Sequence, residues 1–258
     1  MLDAYRTPDR LKARIALYER YPSRQEDFHR WLFSHAPAVG DARVLEVGAG
    51  TSRLWSTNAD RVPPGWRLTL TDISEGMVEA SKRAAAEAGL TARVLRADVQ
   101  DLPFGTAAFN MAFANHMLYH VPDLARGVAE LRRVLAPGST LFAATNGEQH
   151  LAGLKELAGP LAGVVDVQPS APLKFTLESG AEQLGEQFDR VSVLRREEEL
   201  LVDDEDVVLG YLRSLVYLPE TPNAAVLKSL AEWEEGVRRR LAGGPLRVRV
   251  SSGFFMAR

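Results

Sequence analysis

Two glycines and two spaced carboxylates carry the clearest chemistry in this chain. Glu46-Val-Gly48-Ala49-Gly50 closes a short apolar run that begins at Val44. Glycines at a strand-to-helix turn permit sharp backbone bends and close approach by a ligand. Asp72 ends a second run, Leu68-Thr-Leu-Thr71, and stands 22 residues after Gly50. A carboxylate there can accept both hydroxyl protons of a ribose, so the pair marks a nucleoside-cofactor site. Gly-x-Gly alone is common in loops. The preceding apolar run and the spaced acid make it specific.

The kind of nucleoside follows from charge. A pyrophosphate-binding turn wants a third glycine, and Arg53 occupies that place. Glu46 puts a negative charge beside the turn, which repels a pyrophosphate but suits an ammonium and a sulfonium. NAD is therefore the weaker reading. Further along, Arg96-Ala97-Asp98-Val99 ends a third run. Asp98 can accept from an adenine 6-amino group and the Val99 amide can donate to a ring nitrogen. Judged alone, Asp98 has a helix cap or turn residue as its lesser reading. Ile73 and Met77 are placed to pack on adenine and ribose, or to serve as core.

Candidates for a second substrate are sparser. His116 and His120 flank Met117-Leu-Tyr119 just beyond the fourth apolar run, where ligands of an open α/β sheet collect. Either histidine can act as a general base, or can order the loop by hydrogen bonding. Tyr18, Tyr21, Trp31 and Tyr119 are candidates to wall a substrate cavity, though such aromatics also serve as core. His29, His35 and His150 show no metal-ligand spacing, and no metal is expected.

These residues need a scaffold, and the hydrophobic rhythm supplies one. Short apolar runs over 44–47, 68–71, 93–96, 109–114 and 140–144 alternate with helical patterns, which predicts a parallel sheet with right-handed crossovers. Ser52, Ser74 and Asp123 are expected to cap helices, Gly89 to close one, and Pro137-Gly138 to end another. Residues 191–194 and 246–250 read as further strands, with Phe254-Phe-Met256 continuing the last. Before the sheet, Leu11, Ile15, Ala16 and Tyr18 recur at helical spacing up to Pro22. Ser23 is expected to cap a second helix carrying Phe28, Trp31, Leu32 and Phe33. The expected organisation is a helical cap over 1–40 and an α/β domain over 41–258, with a Gly- and Pro-containing helical insertion at about 147–186.

Composition narrows the class. The 258 residues are 46% hydrophobic with a net charge of -3, so no basic excess favours nucleic acid. Arg238-Arg-Arg240 reads as the cationic last turn of a helix, and Asp203-Asp-Glu-Asp206 as a helix N-terminus rather than a metal site. The chain has no cysteine, which excludes disulfides, thiolate chemistry and Cys-ligated zinc and accords with the cytoplasm. The first residues lack the apolar run of a secretory signal. No stretch approaches the roughly 18 apolar residues of a membrane span.

Taken in order, Val44-Leu-Glu-Val-Gly-Ala-Gly50, Thr71-Asp-Ile-Ser-Glu-Gly-Met77, Ala97-Asp-Val-Gln-Asp-Leu-Pro-Phe104, Asn115-His-Met-Leu-Tyr-His-Val-Pro-Asp123 and Leu131-Arg-Arg-Val-Leu-Ala-Pro-Gly138 resemble the class I S-adenosylmethionine-dependent methyltransferases. The likeness covers roughly 40–147 and is closest to the small-molecule branch that includes ubiquinone and menaquinone methyltransferases. It implies a Rossmann-like, seven-stranded, mostly parallel sheet with the last strand antiparallel. It implies S-adenosylmethionine as cofactor, with Glu46, Gly48 and Gly50 around the methionine part. It implies Asp72 on the ribose, Asp98 and Val99 on adenine, and Asn115 near the sulfonium through its backbone. Two positions depart from the pattern. Ser52 stands where a third glycine is frequent, and Asn110 where an Asp is frequent. The Asn-Pro-Pro-Tyr tetrapeptide of many amino-directed nucleic-acid methyltransferases is absent; Asn115-His-Met-Leu118 stands instead. The resemblance thus points to methyl transfer onto a small organic molecule. Other S-adenosylmethionine chemistry on this fold, or a cofactor-binding protein with a regulatory or assembly role, are the alternatives.

Overall fold

A computed structural model describes residues 9–22, 26–167 and 173–258. Helices α1 (Asp9–Arg20) and α2 (Phe28–Ser34) precede strand β1 (Asp41–Val47). Then come α3 (Arg53–Thr57), β2 (Gly65–Asp72), α4 (Glu75–Glu87), β3 (Ala92–Arg96), β4 (Phe109–Asn115), α5 (Leu124–Val134) and β5 (Leu135–Asn146). The remainder is α6 (Ala152–Lys155), β6 (Asp166–Val167), α7 (Gly180–Gly185), β7 (Val191–Val202), α8 (Glu205–Leu215), β8 (Val216–Tyr217), α9 (Ala224–Ala242) and β9 (Leu246–Ala257).

Seven strands form one sheet in the order β3-β2-β1-β4-β5-β9-β7, while β6 and β8 pair separately. All neighbours from β3 to β5 are parallel, and β9 runs antiparallel to both β5 and β7. This is the expected Rossmann-like sheet with its last strand reversed. Four consecutive residues of β1, Val44 to Val47, are buried, as a central strand covered on both faces requires. β9 instead begins with alternating buried and exposed residues, so one face of that stretch is wet. The order reverses direction between β1 and β4, and in open α/β sheets ligands bind at the carboxyl ends of the strands beside such a reversal.

Several local expectations match the structure. The Ser74 hydroxyl accepts from the Met77 amide, and Asp123 accepts from the Arg126 amide. Gly89 takes φ +69° just past α4. Asp204 caps α8 by accepting from the Val207 amide, with Glu205 and Asp206 in the first turn. Arg239 and Arg240 lie in the last turn of α9.

Other expectations need correcting. Asp27, not Ser23, caps α2; Ser23 lies outside the described residues. Ser52 makes no capping bond, because its own left-handed φ of 56° turns the side chain away to the Ser81 hydroxyl. Pro137-Gly138 does not end α5. That helix stops at Val134 and the chain enters β5 at once, pairing Leu135 with Phe109 before a bulge. Proline and glycine there interrupt a strand edge rather than a helix. The connection from β3 to β4 contains no helix, so the parallel crossover is made by turns alone.

Apolar clusters cover both faces of the sheet. A further cluster joins Leu17 of α1, Leu154 of α6, Leu212 of α8 and Trp233 of α9 to the far ends of β7 and β9. The N-terminal helices therefore go to different places. α1 belongs to this helical layer, while α2 packs on the sheet beside α3. No helix among the described residues is long and apolar enough to cross a membrane.

Candidate active site

Backbone bonds draw three segments to the ends of β1 and β2. The Ala49 amide donates to the Thr71 carbonyl at 2.9 Å, and the Ala97 amide to the Asp72 carbonyl at 3.0 Å. The turn after β1 and the segment after β3 are thereby fastened to the strand end that carries Asp72. Both Asp72 oxygens are oriented by main chain: Oδ2 accepts from the Gly50 amide at 3.0 Å and Oδ1 from the Ser74 amide at 2.9 Å. Burial raises its pKa, and those amides oppose the rise. Each oxygen keeps a lone pair for a ligand hydroxyl.

The two glycines of the turn serve different purposes. Gly48 has φ +62°, and a methyl there would stand 2.8 Å from the Met117 side chain. Gly50 has φ +55°, and the space beside it is open to at least 4 Å. The first glycine answers to packing, the second to backbone conformation and free room.

Glu46 is almost wholly buried, at 2% exposure. Trp55 Nε1 donates to its Oε2 at 2.6 Å, and Asn115 Nδ2 donates to its Oε1 at 2.7 Å. Burial pushes its pKa up to about 8, with Asp72 adding to the rise and the two donors opposing it. The charge expected beside the turn is thus held back by desolvation until a cation joins it. The Asn115 Oδ1 atom is buried and has no hydrogen-bond partner. A buried, unsatisfied acceptor beside a buried acid, with no cation near, fits an ammonium-bearing ligand. The Asn115 side chain, and not only its backbone, thus stands at this strand end beside Glu46. Asn110 Oδ1 accepts from the Arg43 amide at 3.0 Å, at the opposite ends of the central strands β1 and β4.

At the next strand end, Asp98 is tied into its own turn. Its Oδ1 accepts from the Gln100 amide at 2.9 Å, and both oxygens accept from Gln100 Nε2 at 3.0 Å. Gln100 Oε1 in turn accepts from the Asp123 amide at the start of α5. The Val99 side chain is buried. Ile73 is 41% exposed, an uncovered apolar side chain beside Asp72, whereas Met77 is buried in the first turn of α4.

Beyond β4 lie the histidines. His116 has φ +51°, its amide donates to the Ala144 carbonyl, and its ring stands 5.3 Å from that of Phe28. Burial, with a contribution from His29, lowers its pKa to about 4. Burial and Arg14 lower that of His120 to about 4, and its ring meets Tyr119 at 4.5 Å. Both imidazoles are neutral at physiological pH.

The aromatic candidates separate. Tyr18 reaches His150 Nε2 at 2.9 Å. Because the Ser251 amide donates to His150 Nδ1, the proton sits on Nε2 and is donated to Tyr18 Oη. Tyr21 donates to Asp203 and accepts from the Asp203 and Asp204 amides, fastening α1 to the start of α8. Trp31 packs on Phe254 at 4.7 Å and under Arg196 at 3.9 Å. Phe28, three residues earlier, is the aromatic that meets His116. Phe28, Trp55, Gln100 and His150 were not legible as site neighbours, because no spacing announces a hydrogen bond or ring contact between distant segments.

Residues 45–143 match the family of methyltransferase domains. The chain is 31% identical over 100 residues to a ubiquinone/menaquinone biosynthesis C-methyltransferase of Bordetella avium, covering 39% of each protein. It is 31% identical over 157 residues to a malonyl-[acyl-carrier protein] O-methyltransferase of Erwinia pyrifoliae, covering 60% of this chain and 55% of that one. The chain thus spans between two fifths and just over half of the curated relatives it matches. Among solved structures, a methyltransferase-like protein of Bacillus halodurans superposes with a TM-score of 0.63 at 16% identity, covering 90% of this chain and 98% of that one. The YcgJ protein of Bacillus subtilis gives 0.59 at 17% identity, covering 89% and 96%. At such identities the likeness to these structures is one of fold.

Proposed function

We propose that this chain transfers a methyl group from S-adenosylmethionine to a small organic molecule. The observation that carries the reading is the buried Glu46–Asn115 pair, with its unpartnered Asn115 Oδ1, at the strand ends beside Asp72. S-adenosylmethionine, when bound, supplies an electrophilic methyl group on a cationic sulfonium. Glu46, held by Trp55 and Asn115, takes the ammonium. Asp72 takes the ribose hydroxyls. Asp98 and the Val99 amide take the adenine edge, and Ile73 covers its face. Gly48, Ala49 and Gly50 leave room for the methionine part, Ala97 seats the adenine loop, and Met77 supports the ribose from below.

On the acceptor side, His116 and His120 remain the residues able to take a proton. With pKa values near 4 they are weak bases, so alignment and exclusion of water carry more of the rate. Tyr18, Tyr119 and Phe28 wall the cavity, with residues 1–40 and the insertion at about 147–186 serving as its cover. The named relatives are a C- and an O-methyltransferase, and either atom suits a transfer that relies on alignment. A small acceptor rather than nucleic acid, and a cytoplasmic setting, accord with the charge balance and the lack of cysteine.

Incubation with methyl-labelled S-adenosylmethionine and a panel of small acceptors tests the proposal. Label transferred to an acceptor is the expected result. Tight cofactor binding with no transfer to any acceptor would favour a binding protein without catalysis. Binding of NAD without binding of S-adenosylmethionine would overturn the reading.

A further inference from the structure

The two edges of the seven-stranded sheet are unlike. β3 is short, at five residues. β7 runs for twelve residues without proline, glycine or lysine. It pairs with β9 in unbroken register, from Val191 opposite Ala257 to Val202 opposite Leu246. Among the described residues, no strand pairs with its outer side. An edge strand offers amides and carbonyls to any other strand, and proteins blunt edges with short strands, prolines, lysines or bulges. β3 is blunted by its length, and β7 has none of these devices.

Side chains of β7 divide by parity. The even positions face the covered side. Leu200 and Val202 are buried, and Arg196 lies over the Trp31 ring at 3.9 Å with Nη1 donating to the Glu26 carbonyl. The odd positions from Val193 to Leu201 are all exposed. Val193 and Leu201 are large apolar side chains left 38% and 49% exposed, with Arg195, Glu197 and Glu199 between them. Those three meet Glu178 at 3.2 Å, Arg249 at 2.9 Å and Arg247 at 2.7 Å. Such exposed pairs hold little energy and leave the charges available to a further partner.

Two copies of one strand can pair edge to edge, antiparallel, about a two-fold axis normal to the sheet. That axis keeps each face on its own side, so directly opposed residues must share parity. The axis then passes through one residue. With the axis at Glu197, Arg195 stands opposite Glu199 of the second copy, Arg196 opposite Glu198, Val193 opposite Leu201, and Leu194 opposite Leu200. Glu197 meets its own copy, each beside its own Arg249. With the axis one residue earlier, Leu194 and Val193 face Glu198 and Glu199. With the axis one residue later, Glu197 faces Glu199 and Arg195 faces Leu201. Of the three, the middle register alone sets base on acid and apolar on apolar, and opposed pairs of both kinds stabilise a ladder.

We propose that this chain forms a two-fold homodimer in which β7 pairs with β7 of a second copy, in register about Glu197, joining the two seven-stranded sheets into one. β9 is antiparallel to both β5 and β7, so β7 runs with the parallel strands. The antiparallel joint therefore turns the two glycine turns to face opposite ways.

The chain has no cysteine, so a single introduced one reports its own surroundings. Under mild oxidation Glu197→Cys should give a covalent dimer, because opposed Cβ atoms on the axis lie about 4.5–5.5 Å apart. Val193→Cys should not, because its copy lies opposite Leu201, about 26 Å along the strand. Sedimentation equilibrium of the unmodified full chain should give twice the chain mass at tens of micromolar. Arg195→Glu and Glu199→Arg should each weaken association by about tenfold or more, since each sets like charges opposite one another twice per dimer. Mixing those two variants should restore association to within about threefold of the unmodified chain, because unlike charges then meet again. The mixture also separates a lost interface from a damaged fold. A chain that stays monomeric, cross-linking of Val193→Cys in place of Glu197→Cys, charge reversals without effect, or a mixture no tighter than its components would each overturn the proposal.

Discussion

The two polar regions of this molecule are opposite in charge and in how they are held. At the strand ends, Glu46 and Asp72 are acids held by neutral donors, namely Trp55, Asn115 and the Gly50 and Ser74 amides. In the helical layer, Arg10, Arg14 and Lys155 are cations with no acid at ion-pair distance among the described residues, and the arginines are anchored on Ser214. A protein that paired these charges internally would gain little, since burial would consume most of the Coulomb energy. The difference also separates rigidity from adaptability. Main-chain bonds orient the acidic end, so its geometry follows from the sheet. Long side chains make the basic end, so its geometry depends on which helices pack there.

The largest expected effect lies at the acidic end. Asp72→Ala should weaken S-adenosylmethionine binding by at least about tenfold, because a charge-assisted hydrogen bond is worth about 1.5–3 kcal/mol. Calorimetry checks this, and unchanged cofactor affinity would break the assignment of Asp72 to the ribose.

Next come the glycines. Gly48→Ala forces a methyl against Met117 and a left-handed backbone on alanine, and should cost about 2–4 kcal/mol of stability. Gly50→Ala meets open space, and should cost only about 1 kcal/mol from its backbone while still weakening the cofactor. Urea titrations of the two variants would show equal losses if the glycines served the same purpose.

A smaller effect concerns protons. The pKa of Glu46 is raised from 4.5 to about 8 in the folded, ligand-free protein. The folded state therefore holds this proton where the unfolded chain has lost it. Stability from this group falls as pH rises from about 4.5 through about 8. Pairing with an ammonium requires the ionised form, so cofactor binding at pH 7 should release most of a proton. Affinity should rise by about tenfold between pH 6 and pH 7, where the ligand's ammonium stays charged. Calorimetry in buffers of different ionisation enthalpy measures the release. Glu46→Gln should abolish it.

The smallest effect belongs to the basic end. Lys155→Gln should stabilise the ligand-free protein, by about 1 kcal/mol or less, since it removes a partly desolvated charge repelled by Arg14. Denaturant midpoints without added anion check the sign. Destabilisation there would mean that Lys155 has a structural partner.

Much of the acidic end was legible because it is built from short local segments. Gly48, Gly50, Asp72 and Asp98 sit at the ends of apolar runs, and the spacing of those runs reveals where a parallel sheet brings its carboxyl ends together. Caps such as Ser74 and Asp123 were legible for the same reason: each bonds an amide three residues away. Where a local sign competed with a tertiary one, the local sign failed. Ser52 has the chemistry of a cap but takes the backbone of a glycine and turns to Ser81. Pro137-Gly138 has the chemistry of a helix stop, yet β4 draws Leu135 into the sheet first.

What the sequence by itself determined is the order of strands and helices, the glycine turn, and the carboxylates beside it. Those depend on backbone propensity and on spacings of a few residues. The tertiary structure alone brings Trp55 and Asn115 to Glu46, Tyr21 to the start of α8, Tyr18 to His150, and Arg10 and Arg14 to Ser214. Arg14 and Ser214 are 200 residues apart, and they meet because α1 and α8 bury Leu17 and Leu212 in one apolar cluster. Hydrophobic burial is non-directional, so a sequence announces which residues seek the core but not which charged neighbours they carry together.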